Sequence, residues 1–415
     1  MGVKRFLIAA IGVVALSGTS VSAAELTLDD CISLALKNRE SIIQARGAEQ
    51  VARMGKWSAL GVFLPNVTAS WDYLHTDKNG VAGSARGALL SAGISVPDVV
   101  TSIFDLSAAQ VDYAGARLDV IASEQDLIYS VKSAYYAYLA DVQNVSILEE
   151  AVKRSEEQLK LIQSKFDLGS ASKSDVLKQK VQYGNDRLEL LTAKNSVSTA
   201  SSNLAYTIGV DPRQDWQFAS AYTVRTFDGT LDSAVMFGLT HQPGILSLEK
   251  SLKSARIGYT SALTQYLPSL RVTAGWEKEM PDHGDNVTTK TYGYGLSWTL
   301  FDGFRRESAV TRAKVARNNA VAVLANTRNK TVSDIKTAYL RISQLKEQKA
   351  VAEETVASAT EDIKITQEKY NLGAATILDL LDAQVSLKRA EVSLISVDFD
   401  LNLAIAVLEK SMGKL

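Results

Sequence analysis

Apolar and polar residues alternate in four places along the chain. Val67, Ala69, Trp71 and Tyr73 alternate with Asn66, Thr68, Ser70 and Asp72. Leu90, Ala92, Ile94 and Val96 are interleaved with Ser91, Gly93 and Ser95. The pattern returns in Leu270, Val272, Ala274 and Trp276, and again in Tyr292, Tyr294, Leu296, Trp298 and Leu300. A period of two gives a strand one apolar and one polar face. The runs predict two β-hairpins, 63–97 and 266–302, with polar, glycine-bearing loops around His75–Gly87 and Met280–Lys290. A longer stretch follows each hairpin, and its apolar positions step mainly by threes and fours. Leu127, Val131, Ala134, Tyr138, Val142 and Val145 belong to one such series, which runs on to Phe166. That spacing is a coiled-coil-like helical seam. It predicts helical hairpins over 105–208 and 305–409, broken at Gly169 and Gly373. A helix from 105 to 168 would extend about 96 Å at 1.5 Å per residue.

The two halves repeat one plan. Leu28-Asp29 returns as Leu231-Asp232, and Leu64-Pro65 returns as Leu267-Pro268. Lys165-Phe166-Asp167-Leu168-Gly169 returns as Lys369-Tyr370-Asn371-Leu372-Gly373. One nearly constant offset across three landmarks indicates a tandem duplication. The expected units are 25–212 and 213–415, joined near Asp211-Pro212, each opening with short helices that in the second unit form an equatorial region.

Composition sharpens this picture. Six prolines leave the tracts 98–211 and 282–415 without any, so helices there can be very long. Near the start, Lys4 and Arg5 precede the apolar run Phe6–Leu16 and small residues up to Ala24. This order describes a secretory signal over 1–24, too short to span a bilayer as a helix, which takes about 20 residues. Balanced charge, −1 in sum, excludes a nucleic-acid binder. The lone Cys31 and three histidines supply no zinc cluster, and the chain has no P-loop, GxSxG or HExxH motif. No catalytic constellation, metal site or cofactor is expected. His75 and His283 fall in the expected outer loops and His241 in the equatorial region.

Three of the five tryptophans lie on the apolar faces of the strands, while small and polar residues fill the other faces. That is the pattern of a membrane β-barrel with a wet lumen. Four strands cannot close a barrel, and an open edge in lipid leaves backbone groups unpaired at several kcal/mol each. The strands must be pooled between chains, eight from two or twelve from three. A periplasmic coiled-coil scaffold without a pore would explain the long helices but not the attached strands.

The duplicated hairpins, LPNVTASW with LPSLRVTAGW, and the strings FDLGSASKSDVL and YNLGAATILDLLDAQ resemble the TolC-like outer-membrane efflux family. The resemblance covers essentially the whole chain beyond the signal. It implies an α+β membrane protein: a homotrimer whose twelve-stranded outer-membrane β-barrel, four strands per chain, continues as a long periplasmic α-helical barrel. It implies a passive exit duct for efflux or type I secretion, with a periplasmic adaptor protein and an inner-membrane pump as partners. It places adaptor docking at Leu168, Gly169, Ser170, Leu372, Gly373 and Ala374. The glycines themselves need only supply a left-handed residue at a helix end.

Asp379 and Asp382, at i and i+3, share one helix face. Each is also explained as a charge at a helix N-terminus. In similar proteins that face lines the periplasmic entrance, so a trimer would carry two rings of three carboxylates. Like charges about 6 Å apart repel by roughly 0.7 kcal/mol in water, enough to favour cations and too little to seal a pore. The resemblance also implies a gate held by inter-helix hydrogen bonds, with Tyr370 and Asp175 at the matching places. Ala375 stands where some relatives have an arginine for a second tie.

Overall fold

The computed structural model describes residues 25–78, 81–281 and 284–415, with the backbone alone at 76–78 and 81–83. The expected signal, 1–24, and His283 lie outside the described residues. The elements run α1 (Leu28–Asn38), α2 (Glu40–Gly61), β1 (Asn66–Lys78), β2 (Val81–Val96), α3 (Val99–Asp167) and α4 (Lys173–Ile208). The same order follows as α5 (Leu231–His241), α6 (Pro243–Thr264), β3 (Ser269–Pro281), β4 (Val287–Ser297), α7 (Arg305–Asn371) and α8 (Ile377–Met412). At 69 and 67 residues, α3 and α7 are rods of about 100 Å.

The four strands form one antiparallel sheet in the order β1-β2-β3-β4. Directly opposed residues share a face. Val67 opposes Ala92, Ala92 opposes Trp276, Ala274 opposes Tyr292 and Val272 opposes Tyr294. One face across the four strands is therefore mainly apolar, with Lys278 and Lys290 also on it. Its side chains are open to the surroundings: Trp71 is 66% exposed, Tyr292 78% and Tyr294 89%. Thr68, Ser91, Gly93, Thr273, Gly275 and Gly293 occupy the other face. Among the described residues, β1 and β4 each present an unpaired outer edge.

The helices form a row. α4 packs on α3, α3 on α8 and α8 on α7; nearer the sheet, α2 packs on α3, α3 on α6 and α6 on α7. Dense cores occur only in patches. Cys31, Ile42, Val131, Tyr135, Leu139, Leu204, Ile208 and Phe399 build one where Leu26 bridges to Phe218. Ala234, Ile335, Leu345, Ile405 and Leu408 build its counterpart. Buried Asn402 fastens the 222–227 segment to α8, donating to Thr223 O at 3.2 Å and accepting from Arg225 N at 2.8 Å.

Several boundaries differ from expectation. The loop expected around His75–Gly87 is strand, because β1 and β2 stay paired out to Lys78 opposite Val81. Glycines there suggested a loop, yet ladder pairing uses only backbone groups. The second loop is likewise shorter, since β3 reaches Pro281 and β4 begins at Val287. α3 starts at Val99, ahead of Asp105, because Asp98 caps it by accepting from Val100 N at 3.2 Å. Trp298 and Leu300 continue the alternation but lie beyond β4, which ends at Ser297. The Trp298 indole donates to Tyr266 O at 3.2 Å. The chain then bends into α7 through Gly303 (φ 69°) and Phe304 (φ 66°), the one non-glycine residue with positive φ among those described. Left-handed backbone costs a non-glycine residue about 1–2 kcal/mol. Asp302 offsets this by accepting from Arg305 N at 3.2 Å and Arg306 N at 3.0 Å.

Candidate functional site

Far from the sheet, the two helical hairpins end side by side. Ile162, Val176, Ile377 and Leu380 form a small buried cluster, flanked by Phe166, Tyr370 and Leu381, that holds both turns at one level. Each turn is built alike. Gly169 (φ 78°) and Gly373 (φ 75°) take the left-handed conformation that ends a helix. Ser170 N donates to Lys165 O at 2.8 Å and Ala374 N to Lys369 O at 2.8 Å, satisfying carbonyls the helices leave open. Nothing lies within 4 Å of where a Cβ would stand on either glycine, so the demand there is conformational. Leu168 and Leu372 are each 84% exposed, two large apolar side chains presented outward beside Ser170 and Ala374. Free apolar side chains next to small residues suit close approach by another helical surface.

A reciprocal cap follows each turn. Ser172 N donates to Asp175 Oδ2 at 3.0 Å while Asp175 N donates to Ser172 Oγ at 3.1 Å. Thr376 N donates to Asp379 Oδ2 at 2.7 Å, and Asp379 N donates back to Thr376 Oγ1 at 3.3 Å. These are capping boxes with aspartate at the third helical position. The Thr376 backbone amide and hydroxyl hold the Asp379 carboxyl below its ordinary pKa, so it is charged at neutral pH. Asp382 is exposed one turn further along α8.

Tyr370 is half-buried at the meeting of the tips. Burial pushes its phenol up, and the nearby Asp175 charge adds to the shift. Among the described residues no Tyr370–Asp175 hydrogen bond forms within one chain. Lys165 lies 4.6 Å from the Tyr370 ring centre, and its Nζ donates to Asn371 Oδ1 at 3.2 Å. The structure thus brings together the two glycine turns, Tyr370 and Asp175, and leaves Asp379 and Asp382 on open helix surface. Sequence reasoning missed Lys165 and Asn371, whose contact joins residues 206 apart. It also missed the capping partners Ser172 and Thr376, although S-x-x-D and T-x-x-D spacings signal them.

Further along, Lys388 on α8 reaches α4, with Nζ 3.0 Å from Asp186 Oδ1 and 2.7 Å from Glu189 Oε2. No group of three His, Cys, Asp or Glu able to hold a metal occurs among the described residues. Cys31 is buried, and burial pushes its thiol up to about 12, which removes it as a nucleophile. No described helix is long and apolar enough to cross a membrane.

Comparison with known proteins agrees with this architecture. The chain is 22% identical over 419 residues to outer membrane efflux protein BepC of Brucella suis, covering 97% of this chain and 89% of that one. It is 23% identical over 427 residues to outer membrane protein TolC of Vibrio cholerae, covering 99% and 94%. The crystal structure of the outer membrane protein VceC from Vibrio cholerae superposes with a TM-score of 0.78 at 19% identity, covering 93% and 96%. The open state of the Neisseria gonorrhoeae MtrE outer membrane channel gives 0.79 at 18% identity, covering 96% and 93%. The fold is therefore that of the TolC-like channels, a β-barrel continued by an α-helical barrel. The sequence model of the outer membrane efflux protein family matches residues 31–210 and 239–414, and the chain belongs to that family.

Proposed function

We propose that three copies close a twelve-stranded barrel in the outer membrane and a twelve-helix tunnel in the periplasm. The assembly conducts substrates delivered by an inner-membrane pump, through a periplasmic adaptor, in an efflux or type I secretion system. Residence in the outer membrane and an efflux role follow from the family. The observation that carries the rest is the sheet: one face mainly apolar and exposed, the other mainly small and polar, with an edge at each end that is unpaired among the described residues. Such a sheet is stable in lipid only when copies join edge to edge. Two tandem units, 25–212 and 213–415, account for the repeated element order.

At the tips, Leu168, Gly169, Ser170, Leu372, Gly373 and Ala374 receive the adaptor. Asp379 and Asp382 form carboxylate rings at the entrance, and Tyr370 with Asp175 belongs to its closing contacts. Transport energy comes from the pump; the family to which the chain belongs is one of ducts rather than enzymes. Purified protein reconstituted in planar bilayers tests this. Stable unit conductance steps, from material that is trimeric by native mass, are the expected result. A monomer that leaves the bilayer silent refutes the duct.

A further inference from the structure

Charge divides between the two faces of the sheet. Over residues 67–75, 86–96, 270–280 and 288–296, the mainly apolar face carries Arg86, Lys278 and Lys290 and no carboxylate. Over the same ranges the other face holds Asp72, Glu277 and Glu279, with Arg271 as its one cation. Arg86 and Lys290 are exposed and Lys278 is half-buried. Lys290 stands directly opposite Trp276, and Lys278 directly opposite Thr288. The two lysines are therefore diagonal neighbours, about 7–8 Å apart at the backbone, and both ammonium groups can reach one acceptor. Arg86 opposes Tyr73, and its guanidinium lies 5.6 Å from the centre of that ring. Four residues separate Arg86 from Leu90, the partner of Lys278 on β2. At the strand rise that is about 14 Å, so Arg86 forms a second cationic centre.

All three cations lie toward the end of the sheet remote from the long helices. Leu270 and Leu296 oppose each other near the helical end of this face, and Lys278 and Lys290 stand eight and six residues beyond them. A strand tilted by about 40° climbs about 2.5 Å per residue, which sets the lysine backbones about 20 and 15 Å above that pair. Arg86, ten residues from Val96, stands about 25 Å up by the same measure. The lipid-facing band of such a sheet is about 25 Å tall. Lysine stems lie along apolar surface and carry their charge outward, so all three charges reach the upper rim of that band. The helical half of the face, with Val272, Ala274, Tyr294 and Leu296, is uncharged.

We propose that Lys278 and Lys290 clamp one phosphate, and Arg86 a second, of a phosphorylated glycolipid in the outer leaflet, whose acyl chains lie along Trp276, Tyr292 and Tyr294. This rests on the proposed barrel, which turns that face to lipid. Cations without a carboxylate on their own face call for an anion from outside, and at this height lipid headgroups supply it. Phosphate is met by charge-assisted hydrogen bonds from lysine and arginine. A phosphomonoester carries nearly two charges at neutral pH, against one for the phosphodiester of an ordinary phospholipid. Two separate centres also favour a headgroup bearing two phosphates over one bearing a single phosphate.

The test titrates the full chain, purified in detergent and stripped of lipid, with diphosphoryl lipid A, its dephosphorylated form and phosphatidylglycerol, and counts bound lipid by native mass spectrometry. Wild type should hold the diphosphoryl form about tenfold or more tighter than either of the others, the worth of one charge-assisted contact. Lys278→Gln with Lys290→Gln should lose that preference, and Lys278→Arg with Lys290→Arg should keep it. Arg271→Gln, on the opposite face, should bind as wild type does. The wild-type comparison stands by itself should the glutamine variant fail to assemble. A trimer that holds phosphatidylglycerol or the dephosphorylated lipid equally well, or a glutamine variant with undiminished preference, overturns the lipid site while leaving the duct intact. A monomeric wild type overturns the barrel on which the site rests.

Discussion

Replacing Lys388 by Met removes the one cation that Asp186, on α4, meets among the described residues. The Asp186 side chain is 5% exposed and that of Lys388 11%, so this arm of the contact is shielded from water. Glu189 is 51% exposed and recovers hydration when Lys388 is lost; its arm contributes less than about 1 kcal/mol. Asp186 would keep only the Gln182 amide, 3.0 Å away. Stranding a buried charge costs about 3–5 kcal/mol. At the lower bound, about 3 kcal/mol multiplies the local opening equilibrium between α4 and α8 by roughly 150. Native-state hydrogen exchange reads that opening directly. Amides flanking Asp186 and Lys388 should speed by about two orders of magnitude in Lys388→Met, and much less in Asp186→Asn with Lys388→Met, where no charge is stranded. Burial alone would push Lys388 down, but the Glu189 and Asp186 carboxylates outweigh it and raise it. A pKa raised on folding gives stabilisation that is complete below the unfolded value of about 10.4 and is lost as pH climbs through the folded one. Protection should therefore stay level from about pH 6 to 9. Exchange in Lys388→Met within a few-fold of wild type, or a double variant as open as the single, would refute the reasoning.

Other substitutions probe the remaining claims. Ala274 opposes Ile94 and Tyr292 on the apolar face, so Ala274→Arg should cost about 2–4 kcal/mol in lipid, whereas Thr273→Arg on the other face should be tolerated; the yield of heat-modifiable β-rich oligomer distinguishes them. Gly169→Arg with Gly373→Arg should abolish export while trimers persist in the membrane, and Gly169→Ala with Gly373→Ala, strained by only about 1–2 kcal/mol at each turn, should retain much of it. Normal export in the arginine variant would remove the tips as a docking surface. Asp379→Asn with Asp382→Asn should lower cation selectivity, with unchanged reversal potentials in planar bilayers counting against the carboxylate rings. Because its cap depresses the Asp379 pKa, that charge should persist below about pH 3.9 and the cap's stabilisation should vanish only as pH falls through the lower, folded value.

Local signals carried much of this fold. Period-two alternation located the four strands, and cross-strand register puts Val67, Ala92, Trp276 and Lys290 on one face in succession. Glycine and the 3–4 seams located the tips. Where reading failed, neighbours decided. Ala85 and Gly87 look like loop residues until β1 pairs with them, opposite Leu74 and Asp72. Trp298 keeps the alternation of a strand but is held by Tyr266 O, a partner 32 residues away. The start of α3 was legible in Pro97-Asp98, a cap signal that the first apolar repeats obscured. Of the tip, each glycine turn was readable because its hydrogen bonds span five residues. The Lys165–Asn371 contact and the Lys388–Asp186 tie were not, since nothing in either segment names its distant partner. The segment 213–230 has little regular structure, and its placement depends on Asn402 and on Glu409 with Arg225, partners 177 and 184 residues away in sequence.

The bare margins of the sheet bear on how the protein is made and how it fails. A solitary chain entering lipid would strand the amides and carbonyls of β1 and β4, so productive insertion waits until companions have gathered. At low supply, yield should then climb with about the third power of chain concentration, as mass action on a threefold encounter requires. Faulty copies become poisonous for the same reason. If half the pool carried an intact β1 and a ruined β4, random mixing would leave only about one complete ring in eight. Co-expression with such a copy should therefore sensitise cells far beyond simple halving of the gene dose.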